Sequence, residues 1–215
     1  MKIKYLGHSC FKIISNQGNS LIADPYTGVG YELPIGLKAD AVTTSHAHFD
    51  HSYIQAVQTN TVICTPGVHS VGDIQISGVS SWHDEQNGYL RGANIIYKFT
   101  VDEMVVCHLG DLGEKVSAEL AERIGKVDIL LLPVGGTYTI DAQQAKKLAE
   151  RIAPSVIIPM HFKGDGKLDI SDVSVFLKQF PAAVVCEMNS DTYEINKQNL
   201  PAMMQIIYLE RKKYD

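Results

Sequence analysis

One heptapeptide constrains this chain more than any other stretch. Ser45-His46-Ala47-His48-Phe49-Asp50-His51 follows directly on the apolar run Ala41–Thr44, so three of the eight histidines and one aspartate fall within six positions. On an extended or turning backbone, His46 and His48 point the same way and can share one metal ion. Asp50 and His51 then begin the next turn and face a second ion beside the first. Imidazole together with carboxylate suits Zn, Fe or Mn. The bland alternative, a solvated His-rich loop, is the weaker reading.

The rest of the chain supplies a scaffold of many strands with helices interleaved late. β-type runs are expected at Lys2–Leu6, Cys10–Ser15, Ser20–Ala23, Ala41–Thr44, Thr61–Cys64, Ile74–Trp82, Asn94–Thr100 and Met104–Cys107. Asn16-Gln17-Gly18-Asn19 reads as a hairpin turn, and residues 25–38, with two Pro and three Gly, as a loop. In the second half, Ser117 is expected to cap a helix ending at Ile124 with Gly125 behind it. Asp141 caps the next helix, with Gln144 completing a capping box. Its apolar face is Ala142, Ala145, Leu148, Ala149 and Ile152, at helical spacing. Ser171 is expected to cap a third helix, with Ile170 stapled against Val175. Strands are expected at Asp128–Leu132, Val156–Ile158 (stopped by Pro159), Ala182–Cys186 and Gln205–Leu209. The pattern is that of an α/β domain, two sheets in contact with helices outside.

Composition narrows the function. The chain has 215 residues, 45% hydrophobic and 20% charged, enough for a substantial core. No apolar run is long enough to span a bilayer, and the N-terminal residues do not read as a signal peptide. A net charge of −5 argues against a nucleic-acid binder, while leaving room for one small phosphate-bearing substrate. Cys10, Cys64, Cys107 and Cys186 form no close pairs and sit in apolar stretches. They read as four buried reduced thiols, which places the protein in the cytoplasm.

A two-metal site needs more ligands than the heptapeptide holds. The same logic, an acid or imidazole just past a strand end, selects His83, Asp111 and His161. In this order the chain resembles the metallo-β-lactamase-fold hydrolases, whose signature is H-x-H-x-D-H followed by a His, a bridging Asp and a final His. Asp24, after a hydrophobic strand, matches that superfamily's first, structural Asp. Gly7-His8-Ser9, Leu132-Pro133-Val134-Gly135-Gly136 and Ile158-Pro159-Met160-His161-Phe162 look like the branch of ascorbate-6-phosphate lactonase and the phospholipase D acting on N-acylphosphatidylethanolamine. Within it, the chain looks most like small bacterial and archaeal metal-dependent hydrolases.

The resemblance implies a single domain over 1–215, folded as a four-layer αβ/βα sandwich with metals at the edge between the sheets. It assigns His46, His48 and His83 to a first metal, Asp50, His51 and His161 to a second, and Asp111 to both. Asp50 and Asp111 are the expected catalytic carboxylates. Two divalent ions, Zn first with Mn and Fe as alternatives, would hold a bridging hydroxide that attacks a small ester, lactone or phosphodiester. Two other classes keep the same ligands: an iron-dependent oxidoreductase such as a sulfur dioxygenase, and a metal-binding module without turnover. Glu114 stands where the family pattern has a His. A homo-oligomer is left open.

Other residues divide between a site role and a bland one. His8 is a support or substrate contact, or a plain turn residue. Arg91 and Lys163 are anion anchors or solvated charges. Tyr138, after Gly135-Gly136, lines the pocket or covers it. Asp84 supports the site or is exposed. His108 is expected not to ligate, His69 to lie on the surface, and Trp82 to be core.

Overall fold

A computed structural model describes residues 1–214. In chain order its elements are β1 (Lys2–Gly7), β2 (Cys10–Ile14), β3 (Ser20–Ala23), β4 (Leu37–Lys38), β5 (Ala41–Thr43), β6 (Val57–Gln58), β7 (Val62–Ile63), β8 (Gly67–Val71), β9 (Ile74–Trp82), β10 (Ala93–Val101), β11 (Met104–His108), α1 (Ala118–Ile124), β12 (Ile129–Pro133), α2 (Ala142–Ile152), β13 (Val156–Met160), α3 (Ser174–Leu177), β14 (Val185–Glu187), β15 (Thr192–Glu194) and β16 (Gln205–Tyr208), with short 3-10 turns between some of them.

Two sheets result. One has the order β15-β1-β2-β3-β5-β7, the other β14-β16-β13-β12-β11-β10-β9-β8. Alternation along the first sheet gives it two apolar faces. Phe11, Ile13, Leu21 and Ala41 enter the large core shared with the second sheet. Their neighbours Cys10, Ile22 and Val42 enter a second cluster on the other face, covered by Tyr26, Val29 and Leu33 of the 25–38 loop and by Val57. In the second sheet, β11, β12 and β13 run parallel, joined through α1 and α2. β12 is buried at every position, as a parallel strand covered on both faces must be. Each of its leucines contributes about 1.5–3 kcal/mol by leaving water.

The expected helix signals are present. Ser117 accepts from the Leu120 N–H, and α1 ends at Gly125 with φ 67°. Asp141 and Gln144 form the reciprocal capping box of α2, whose buried face is Ala142, Ala145, Leu148 and Ala149. No helix among the described residues is long and apolar enough to cross a membrane.

Several expectations are corrected. Pro159 does not stop its strand: it lies inside β13, paired with Leu132 on one side. Pairing with β16 on the other side ends at Ile157, so the missing N–H falls where the strand has only one partner. The third helix begins at Ser174, not after Ser171, and Val175 is exposed rather than stapled. Cys64 and Cys186 are exposed, because each lies at or beside an outermost strand, β7 or β14. Trp82 is 38% exposed while Ser81 is 2% exposed. The pleat turns Ser81 inward, where it bonds Asn94. The edge strands β8 and β15 lack an apolar run in sequence and pair only along one side.

Candidate metal centre

Six strand ends deliver the chemistry to one edge. His8 follows β1, Asp24 follows β3, His46 to His51 follow β5, His83 follows β9, Asp111 follows β11 and His161 follows β13. Hydrogen bonds lock the two sheets together at this edge: Ile95 N–H to the Ser45 carbonyl at 2.9 Å, and His161 N–H to the His8 carbonyl at 3.0 Å. The turns are tight enough to force unusual backbone. His8, Asp24 and His161 have φ of 53°, 47° and 49°, a left-handed conformation that Asp and His tolerate better than most residues. Gly110, at φ 56°, leads into Asp111. A Cβ there would run into the side chains of Ser45 and Asn94. Asn94 Oδ1 in turn accepts the Asp111 N–H at 3.0 Å.

The seven sequence-selected residues meet as two groups around Asp111. In one, ligand atoms of His46, His48 and His83 all lie within 4.8 Å of one another. In the other, Asp50, His51 and His161 are joined by His8 within the same limit. Asp111 reaches both. Its Oδ1 is 3.0 Å from His51 Nε2. Its Oδ2 is 3.2 Å from His83 Nε2 and 3.3 Å from His161 Nε2.

The donor set fits a cation. His46 Nε2, His51 Nε2, His161 Nε2 and Asp111 Oδ1 are buried and lack a hydrogen-bond partner, although His51 and Asp111 stand close. A buried polar atom left unpaired costs about 1–3 kcal/mol, so four such atoms shared between the two groups indicate that cations bind there. Behind them the imidazoles are already oriented. Asp24 accepts from Ser45 N–H at 2.7 Å and meets His51 Nδ1 at 2.7 Å, while Ser45 Oγ meets His46 Nδ1 at 3.0 Å. Both rings therefore present Nε2 forward, the arrangement expected of metal-binding histidines. His108 is buried with both nitrogens occupied, Nε2 against the Ser9 carbonyl and Nδ1 accepting the Gly110 N–H. It is spent on the fold.

Charge is distributed unevenly. Burial, and then His161, push His8 down to about 4. Burial, and then His51, push His46 down to about 3. His51 goes the other way. Burial opposes its charge, but Asp111 and Asp24 on either side raise it well above the ordinary 6.5. Burial would raise Asp111, yet His161 and His51 hold it well below the ordinary carboxylate range. Asp50 is likewise held low against burial, by His8 and His51.

A cavity of about 330 Å³ opens onto this edge, lined by His48, Asp50, His83 and Asp111 and by Phe49, Arg91, Tyr138 and Leu168. Lys163 does not line it. It is exposed and borders a smaller cleft beside His8. Asp84 is buried, and its carboxylate accepts the backbone N–H groups of Gln86, Gly88, Leu90 and Arg91. Burial would raise its pKa, but these four donors lower it. Glu114 pairs with Arg123 and accepts the Trp82 N–H. His69 lies half-buried on β8. Two features escaped sequence reasoning. The place of His8 within the second group had one available signal, the Gly7-His8 turn straight after an apolar strand. Leu168 on the cavity wall had none.

Comparison with known proteins agrees with this geometry. The model of the β-lactamase superfamily domain matches residues 2–161. A UPF0173 metal-dependent hydrolase from Methanospirillum hungatei is 30% identical over 202 residues, covering 83% of this chain and 90% of the relative. A crystal structure from Thermotoga maritima, assigned to the Zn-dependent hydrolases of the metallo-β-lactamase superfamily, matches with a TM-score of 0.80 and 35% identity over 97% of this chain and 98% of that one. The diiron β-hydroxylase CmlA from Streptomyces venezuelae shares the fold, with a TM-score of 0.59 and 15% identity over 83% of this chain and 50% of that one. The chain thus belongs to the β-lactamase superfamily domain family and, within it, to the UPF0173 metal-dependent hydrolases.

Proposed function

We propose that this metal-dependent hydrolase works with two divalent ions on a small ester, lactone or phosphodiester. The observation that carries the reading is Asp111, one buried carboxylate within 3.3 Å of imidazoles from both ligand groups. His46, His48 and His83 would hold one ion, Asp50, His51 and His161 the other, and Asp111 both. When bound, the ions supply an acidified water and a Lewis acid for the electrophile's oxygen. Zn is the first expectation, with Mn as the alternative. The residues do the rest. Asp24 and Ser45 keep His51 and His46 in one tautomer and orientation. Asp50 stands at the cavity wall, 3.2 Å from His8, where its carboxylate would pass a proton from the attacking water to a leaving group. Phe49 and Leu168 give one side of the cavity an apolar wall.

The Gly7-His8-Ser9 turn supports placing the chain near the ascorbate-6-phosphate-lactonase branch. The free thiols support a cytoplasmic location. A second reading, an iron oxidoreductase, is favoured by the diiron neighbour on the same fold. Elemental analysis of protein purified in metal-free buffers separates the readings. Close to two Zn or Mn per chain, with ester or phosphodiester turnover, supports the hydrolase. Iron as the dominant metal moves the function to redox chemistry. No metal, and none taken up on titration, overturns both.

A further inference from the structure

The segment between β9 and β10 is built around a single carboxylate. Asp84 Oδ1 accepts from Gln86 N–H at 2.7 Å and Gly88 N–H at 3.0 Å, and Oδ2 from Leu90 N–H at 3.0 Å and Arg91 N–H at 2.8 Å. Gly92 N–H bonds the Gly88 carbonyl at 2.8 Å, and His83 N–H bonds the Gly92 carbonyl at 3.1 Å. The loop is therefore closed on itself and fastened to His83. Gly88, at φ 80°, packs on the Trp82 ring, where a Cβ would collide. What this structure holds in place is Arg91.

Arg91 lines the metal-centre cavity, half-buried, from outside the ligand set. Its Nη2 donates to the Thr137 carbonyl at 3.2 Å, and its guanidinium lies 5.7 Å from the Tyr138 ring centroid. Among the described residues no carboxylate pairs with it. Thr137 is β-branched and has φ 59°, a strained backbone of the kind found where a binding group is held in place. An arginine with four of its five donors uncommitted, fixed at the rim of an apolar-walled cavity, is a receptor for an oxyanion.

We propose that the substrate carries an oxyanion separate from the bond that is cleaved, a carboxylate or a phosphate, which Arg91 binds while the connecting carbons lie among Phe49, Tyr138 and Leu168. Asp84 is the positioning residue for Arg91. The inference rests on the hydrolytic reading for turnover, but its binding half stands apart from it.

The test compares matched esters on the zinc-loaded enzyme: 4-nitrophenyl hydrogen succinate, 4-nitrophenyl 3-phosphonopropanoate and the neutral 4-nitrophenyl butyrate. Wild type should favour one of the two anionic esters over the butyrate in kcat/KM, and which one it favours identifies the oxyanion. R91A should reduce that preference about tenfold or more, with R91K restoring part of it. R151A, which removes the same charge from α2, should leave it in place. A wild-type enzyme without preference, or an R91A enzyme that keeps it, overturns the proposal. Calorimetric titration with monomethyl succinate gives a second readout that needs no turnover. Affinity should fall about tenfold in zinc-loaded R91A, and equal affinity overturns the proposal. If no ester is hydrolysed while the Arg91-dependent affinity is present, the hydrolytic reading fails and the anion site survives. D84N should raise KM for the favoured anionic ester severalfold at unchanged zinc content, and shift the emission of Trp82, the single tryptophan. An equal loss of kcat on all three esters together with loss of zinc would show that Asp84 supports only His83, which overturns the positioning role.

Discussion

The two ligand groups that meet at Asp111 are built differently. His46, His48 and His83 are all imidazoles, and His48 is exposed. In the second group His8, His51 and His161 are buried, Asp50 adds a carboxylate, and Asp24 stands behind His51 with no exposure at all. Two members of the second group, His8 and His161, sit in left-handed backbone and share a hydrogen bond between their main chains. The first group has one exposed member and only imidazoles; the second has three buried imidazoles and a carboxylate. The difference teaches that one half of the centre is shaped by a local spacing and the other by burial around a compensated charge.

That contrast can be broken from its centre outward. Asp111→Ala should remove both ions and cost well over the roughly hundredfold that loss of an outer partner costs. Two ions still tightly held in that variant, by elemental analysis, would mean that the groups are independent. Asp24→Asn should act chiefly on the second group, because Asp24 meets His51 directly and His46 only through Ser45. The second ion should bind about 10–100-fold more weakly, while the first, held through His48 and His83, stays. Equal weakening of both in a metal titration would erase the contrast.

Proton uptake by the metal-free protein tests the electrostatics. His8 and His46 are depressed to about 4 and 3 from 6.5. Below pH 6.5 the unfolded chain binds protons that the folded chain refuses, so stability should fall as pH drops toward 4. The slope is about 1.4 kcal/mol per pH unit for each imidazole. His51 is raised, so its contribution is complete below 6.5 and is lost as pH rises through its higher folded value. Thermal melts in chelator should therefore show a maximum near pH 6.5. A profile flat from pH 4 to 8 would sink this picture. The smallest effect belongs to His108. His108→Ala should leave the metal count unchanged and cost about 1–3 kcal/mol from the unpaired Ser9 carbonyl and Gly110 N–H. Loss of an ion would make it a ligand.

Where reading by sequence succeeded, the information was local. Ser117, Asp141 and Gln144 cap their helices through contacts within three residues. Where it failed, a partner distant in sequence decided. Cys64 and Cys186 look like core residues until their strands prove to be the outermost ones. Trp82 looks like core until the Ser81–Asn94 bond fixes which face of β9 turns inward. Pro159 looks like a stop until the pairing of its strand with β16 proves to end two residues short of it. Asp84 carries no motif, because its four donors are backbone groups, which every residue but proline offers.

The sequence by itself determined which side chains stand just past which strands, because strand ends and ligand spacing are short-range properties of the chain. It also determined the donor types, imidazole and carboxylate, that stand there. Only the tertiary structure decided that His8 joins Asp50 from 42 positions away and that Arg91 faces the same cavity. Those relations depend on two sheets meeting at one edge, and the packing that brings them together is not written in any single stretch of residues.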